Sequence, residues 1–281
     1  MPPVLPTPAR SQRLQSPMFE SRPESKGRSS LPYTTSLVFP DSQVNQLPYI
    51  LTGILVFTDG GDNLAHFCTA SIIRRRIVVT AAHCLYNTKV NKWNSNFLFA
   101  PSFNGTLSTP APFGVWDWQK MWVMNGWING TGTVPNAFDY GLIEMRDNGT
   151  TVIGDYLGYF GYITNKLIGN SVTQLGYSEN LDGGNRMLQN AAEARAAAKK
   201  FAGEIGSALA GGSSGGPWVQ NFGVGASGQA YSGGGGANQI VAVTSYGPTN
   251  RSFEYAGATI FNASFVKLLN GTVCKNRDGN C

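Results

Sequence analysis

The chain has 281 residues, a net charge of +5, 42% hydrophobic residues and only 13% charged ones. That balance excludes a disordered polymer, and the length is ample to bury a core. No apolar run approaches the roughly 18 residues a membrane span needs, so no membrane partner is expected, and the 35 glycines have no collagen-like triplet period.

The first 42 residues carry five basic side chains against three acidic ones and are rich in Pro and Ser. They have neither helical nor strand periodicity, and they read as a flexible arm or propeptide over 1–42 ahead of one domain over 43–281. No apolar secretory stretch stands near the start. Beyond the arm, short apolar or alternating runs are separated by turn clusters: YILTGILVF (49–57), ASIIRRRIVVTAA (70–82), FDYGLIEM (138–145), SVTQLGY (171–177), PWVQNF (217–222), QIVAVTSY (239–246) and YAGATIF (255–261). Runs of this length and frequency predict an all-β sandwich or barrel. The only basic run, Arg74-Arg75-Arg76, reads as a solvated strand end, so no nucleic-acid partner is expected.

Two helices interrupt this pattern. AAEARAAAKKFAGEI (191–205) is composed of strong helix formers. Over 262–270, Asn262 is a fitting N-cap, Phe265, Val266, Leu268 and Leu269 make an apolar face, and Gly271 supplies a stop. YSGGGGANQ (231–239) reads as a Gly/Ser loop.

Four cysteines, Cys68, Cys84, Cys274 and Cys281, form an even set without a C-x-x-C pair, and the chain has only two histidines. No metal site of the usual spacing and no cofactor is expected; two disulfides and a secreted or extracytoplasmic location fit better. Cys68–Cys84 with Cys274–Cys281 is the obvious pairing, although four cysteines permit three connectivities.

Three segments carry chemistry. In IVVTAAHC (77–84), a β-branched run ends in two small alanines and then His83, a base held by a strand. In AGGSSGGPW (210–218), glycines flank Ser214 and allow backbone N–H groups to converge, so the amides of Gly212 and Ser214 can receive an oxyanion. Pro217 and Trp218 lead abruptly into a strand, which a flexible linker has no reason to do. A carboxylate is needed to orient the histidine. Asp139 opens an apolar strand and is the best candidate, ahead of Asp117, Asp155 and Asp182.

TAAHC (80–84), FDYGLI (138–143) and GGSSGGP (211–217), in that order, resemble the chymotrypsin-like serine endopeptidases, nearest the bacterial and fungal branch that includes glutamyl endopeptidases. The resemblance covers roughly 48–270. It implies two six-stranded antiparallel β-barrels, here about 43–150 and 151–260, with the site in the crevice between them and a C-terminal helix. It also implies a Cys84–Cys68 disulfide, a catalytic triad of His83, Asp139 and Ser214, and polypeptide substrates; a monomer is expected. The residue before the nucleophile is Ser213, not the Asp that pairs with a newly cut N-terminus in digestive relatives. VTSYG (243–247) matches the strand lining the primary specificity pocket, which implies substrate contacts at Thr244, Ser245, Tyr246 and Gly247. Ala208 falls at the pocket base and Thr244 where glutamate-specific relatives have a histidine, so a neutral or small side chain is expected there. The alternatives are a protease-fold binding module that no longer cuts, and a carbohydrate-binding β protein using Trp116, Trp118, Trp122 and Trp127.

Overall fold

The computed structural model describes residues 31–225, 236–248, 250, 253–275, 279 and 281. Residues 1–30 of the expected arm and most of the expected loop 231–239 lie outside the described residues. In chain order, β1 spans Tyr33–Leu37, β2 Thr52–Thr58, β3 Ala65–Ile72 and β4 Ile77–Thr80. A short hairpin of β5 (Tyr86–Asn87) and β6 (Lys92–Trp93) precedes β7 (Ser95–Pro101), β8 (Trp116–Val123) and β9 (Gly141–Met145). The order β2-β3-β4-β9-β8-β7 closes on itself as an antiparallel six-stranded barrel.

Side-chain size and branching explain that closure. All four residues of β4, Ile-Val-Val-Thr, are fully buried, as stiff β-branched side chains on a pleated surface tend to be. Phe57 and Phe97 stack inside with ring centres 5.4 Å apart. Gly53 lets β2 approach β7, since a Cβ there would lie 2.3 Å from the Ala100 carbonyl oxygen. Trp116 and Trp127 are buried in the core, which leaves them no sugar-facing surface.

The second unit contains β10 (Gly161–Tyr162), β11 (Ser171–Tyr177), β12 (Met187–Glu193), β13 (Arg195–Ala196), β14 (Ala202–Gly206), β15 (Pro217–Gln220), β16 (Gln239–Tyr246) and β17 (Tyr255–Ile260). Its order is β1-β12-β11-β15-β16-β17-β14-β13, with β10 beside β16. This nine-stranded sheet is a half-barrel, not the second closed barrel expected. β12 uses its outer edge on β1 and β14 uses its own on β13, so the two strands do not pair. A side chain bridges the seam instead, Asn190 Nδ2 donating to the Gly206 carbonyl at 2.8 Å.

Two expectations are corrected by this sheet. Residues 33–37 of the expected flexible arm form a strand: Tyr33, Thr35 and Leu37 turn inward while Thr34 and Ser36 are exposed, a period-two pattern in polar residues. Residues 191–205 are not helical but run through β12, β13 and β14. As a helix the segment's first ten residues have no large apolar side chain to bury. As strands, Ala191 and Ala192 pair with Thr173 and Val172, and Ala202 pairs with Thr259, which outweighs propensity.

The C-terminal helix forms at Ala263–Leu268, with Asn262 Oδ1 accepting from the Ser264 and Phe265 amides at 2.8 and 3.3 Å. It continues as a π-turn over Leu269–Val273, so Gly271 does not end it. Arg74–Arg76 is not a free basic face: Arg75 pairs with Asp155, Arg76 with Asp147, and Arg74 lies over the Tyr162 ring. Among the described residues, no helix is long and apolar enough to cross a membrane.

Candidate active site

β4 delivers His83 directly. After Thr80 the chain enters a 3-10 turn over Ala82–Cys84, pinned by the Cys68–Cys84 disulfide to β3. The second disulfide joins Cys274 to Cys281. Asp139 stands just before β9, the strand paired with β4, and is fully buried. Its carboxylate accepts from the His83 backbone amide at 3.0 Å, and His83 Nδ1 lies 3.1 and 2.9 Å from its two oxygens. Ser245 Oγ donates to the same carboxylate at 2.5 Å. A buried charge needs such donors, and these three compensate for its desolvation. The rival carboxylates are elsewhere: Asp117 pairs with Arg146, Asp155 with Arg75 and Asp182 with Arg186. The Arg75 hydrogen bond holds the Asp155 carboxyl below its ordinary range.

Ser214 is tied to the same scaffold. Its carbonyl accepts from the Thr69 amide at 2.8 Å, beside Cys68 of the disulfide. Thr69 Oγ1 donates to the Gly212 carbonyl at 2.9 Å, and the Gly215 amide donates to the Thr244 carbonyl at 2.8 Å. Two glycines make the loop possible. Gly212 has φ +88° and no room for a Cβ, which would lie 2.1 Å from the Phe67 ring. Gly215 has φ +77° and fits against Thr80 and the Ala81 amide. The Ser214 hydroxyl is buried and makes no hydrogen bond among the described residues. The Gly212 and Ser214 amides likewise donate to no group among them. Polar groups left idle inside a protein are rare and gather at functional sites.

The expected substrate-facing residues divide into two groups. Ala208 is half-buried in the loop leading to Ser214, and Gly247 follows β16. The Thr244 hydroxyl is instead committed to the interior: it accepts from Trp218 Nε1 at 2.9 Å and Gln174 Nε2 at 3.0 Å and donates to the Gly216 carbonyl at 3.2 Å. Tyr246 is fully buried, and its hydroxyl donates to Glu204 at 3.1 Å. Ser245 holds Asp139. That contact and the two bonds of Thr69 escape sequence reasoning, because an isolated Ser or Thr has no local signature. The position of Thr69 next to Cys68 is the one available hint.

Cys68, His83 and Cys84 bring possible ligand atoms within 4.8 Å of one another. The two sulfurs are bonded to each other, which removes the thiolates a metal requires. These residues do not fit a metal ion.

Comparison with known proteins agrees with this geometry. The Trypsin family profile matches residues 42–107. A glutamyl endopeptidase of Bacillus licheniformis is 34% identical over 112 residues, covering 39% of this chain and 32% of the relative. A Bacillus subtilis protein named extracellular metalloprotease is 29% identical over 142 residues, covering 50% of this chain and 41% of the relative. The chain thus spans well under half the length of either curated relative. Among solved structures, the thermostable serine protease AL20 from an extremophilic microorganism aligns with a TM-score of 0.68 at 21% identity, over 84% of this chain and 100% of that one. The fold is that of the solved serine proteases, and the matched segment, which contains His83 but neither Asp139 nor Ser214, resembles the Trypsin family. Over 112 residues the chain is similar to a glutamyl endopeptidase, in line with the resemblance read from its motifs.

Proposed function

We propose that the chain is a secreted serine endopeptidase working through Ser214, His83 and Asp139. The observation that carries this reading is the buried Asp139 carboxylate, which receives only donors, two of them from His83. A proton on His83 Nδ1 directed at Asp139 leaves Nε2 as the basic nitrogen. Nε2 takes the Ser214 hydroxyl proton as Oγ attacks the substrate carbonyl. The amides of Gly212 and Ser214 then receive the oxyanion. Collapse of the tetrahedral intermediate breaks the C–N bond, and the departing amine takes the proton from His83. Water, deprotonated by the same nitrogen, hydrolyses the acyl-enzyme and restores Ser214. The two disulfides suit an oxidising compartment.

A neutral or small side chain precedes the cleaved bond in this proposal. Thr244 has no hydroxyl capacity left for a substrate carboxylate, and the two histidines are engaged by Asp62 and Asp139. An unpaired carboxylate is expensive to bury beside such neutral groups. The test is digestion of an unbiased peptide library with the products sequenced. Cleavage after Ala, Ser, Thr or similar residues, abolished by Ser214→Ala, supports the reading. Cleavage confined to Glu would overturn the pocket assignment, and no cleavage would favour a protease-fold module that only binds.

A further inference from the structure

We infer that β1 is a built-in latch and that Thr35 is a positioning residue for the loop carrying the nucleophile, a conclusion that rests on the role proposed for Ser214. β1 lies along β12 in continuous register from Tyr33↔Ala192 to Leu37↔Leu188, beside the seam where β12 and β14 do not pair. Its inward residues reach across that seam. The Thr35 hydroxyl donates to Asn190 Oδ1 at 2.5 Å and accepts from the Ala208 amide at 3.4 Å, while Asn190 Nδ2 holds the Gly206 carbonyl. Tyr33 donates to the Glu254 carboxylate, and the Glu254 carbonyl accepts from the Ser207 amide at 3.2 Å. Packing is equally close, since a Cβ on Gly206 would lie 2.1 Å from the Leu31 carbonyl oxygen. Residues 31–35 therefore grip Gly206, Ser207 and Ala208 in succession.

That stretch leads into the turn bearing the idle Gly212 and Ser214 amides. Other elements hold the turn as well: the Ala210 amide donates to Ser178 Oγ at 2.8 Å, the Glu179 amide to the Gly211 carbonyl at 2.8 Å, Asn180 Nδ2 to the Ala208 carbonyl at 3.0 Å and Thr69 Oγ1 to the Gly212 carbonyl at 2.9 Å, while Ser213 Oγ donates to the Ala210 carbonyl at 2.6 Å. Ser213, which carries no charge, completes its bonding within the loop and leaves no carboxylate for a new N-terminus to meet. The anchor that reaches the start of the loop across the seam is thus an internal strand, hydrogen-bonded through Thr35, and it needs no free amino group. Asn190 is fully buried, so removing the Thr35 hydroxyl strands its carbonyl oxygen and loosens Gly206 to Ala208 together. Displacing oxyanion donors by a fraction of an ångström is enough to slow catalysis strongly.

The test uses the full chain with Thr35→Val, Thr35→Ser and Tyr33→Phe. Thr35→Val should lower kcat/KM by about tenfold to a hundredfold, mostly through kcat, with the pH profile set by His83 unchanged. Thr35→Ser should restore the rate, and Tyr33→Phe should show a smaller loss. In a Ser214→Ala background, Thr35→Val should speed amide hydrogen exchange in 206–211 and leave 77–84 unaffected, a measurement independent of turnover. Wild-type turnover and exchange in folded Thr35→Val would overturn the latch while leaving the proposed peptidase intact. If Thr35→Val does not fold, unchanged kcat and exchange in Tyr33→Phe would overturn it equally. If the parent protein proves inactive, faster exchange in 206–211 still supports the strand's grip on the loop, and the peptidase reading fails separately.

Discussion

Replacing Asp139 by Asn probes the site at its most constrained point. Three donors face the carboxylate: the His83 amide, His83 Nδ1 and Ser245 Oγ. An Asn side chain offers one oxygen and one NH2 in the same space. With the oxygen toward the His83 amide, the NH2 occupies the Oδ2 position, 2.9 Å from Nδ1. Two N–H groups cannot face each other, so Nδ1 becomes an acceptor and the proton moves to Nε2. Nε2 then has no lone pair to receive the Ser214 proton. With the amide flipped, NH2 meets the backbone N–H, which cannot yield its proton, so the first orientation prevails. The same change in the template Ser-His-Asp triad lowers kcat about ten-thousand-fold, a magnitude carried over from that template. It corresponds to roughly 5.5 kcal/mol of barrier. Single-turnover acylation by an activated ester, followed against pH, measures it. An Asp139→Asn protein acylating within tenfold of the parent would refute the tautomer argument.

Other substitutions separate support from chemistry. Ser245→Ala removes a short bond to a buried charge and should cost about 2 kcal/mol in urea unfolding, with a loss in kcat of about tenfold; no change in either would mean the contact is incidental. Gly215→Ala places a Cβ about where Thr80 Oγ1 sits, 2.0 Å away, at φ +77°. It should destabilise by roughly 2–4 kcal/mol and abolish measurable turnover, and a stable, active variant would contradict the loop geometry. Asp155→Asn should leave turnover at the parent's rate, since among the described residues that carboxylate bonds Arg75 and not His83. Its folded-state pKa is lowered, so the pair's stabilisation is present above the unfolded carboxylate pKa and disappears as pH falls through the folded value. Melting curves of parent and variant should therefore converge in acid, and divergence there would reverse the sign.

Much of the fold was legible because its residues announce it. IVVT in β4 is a β-branched run whose burial follows from composition, and TAAHC and GGSSGGP mark the proposed base and nucleophile by their small neighbours. The C-terminal helix was equally readable, since Asn262 and the apolar Phe265, Leu268 and Leu269 are local signals. What escaped depends on partners distant in sequence. Residues 191–205 have the composition of a helix, and only pairing with β11 and β17 makes them strands. YTTSL reads as polar arm until β12 supplies its other half. Ser245 and Thr244 stand next to each other, yet one hydroxyl reaches Asp139 and the other the interior around Gln174. Strand alternation predicts that they point to opposite faces but not what each face contains.

Mass spectrometry after exposure to a fluorophosphonate tests the central claim most directly, because only a serine whose proton is removed by a neighbouring base reacts quickly. The account predicts one adduct per chain, located on Ser214, absent in Ser214→Ala and formed far more slowly in Asp139→Asn. An adduct on another serine, or an unlabelled Ser214 in the folded protein, would contradict it.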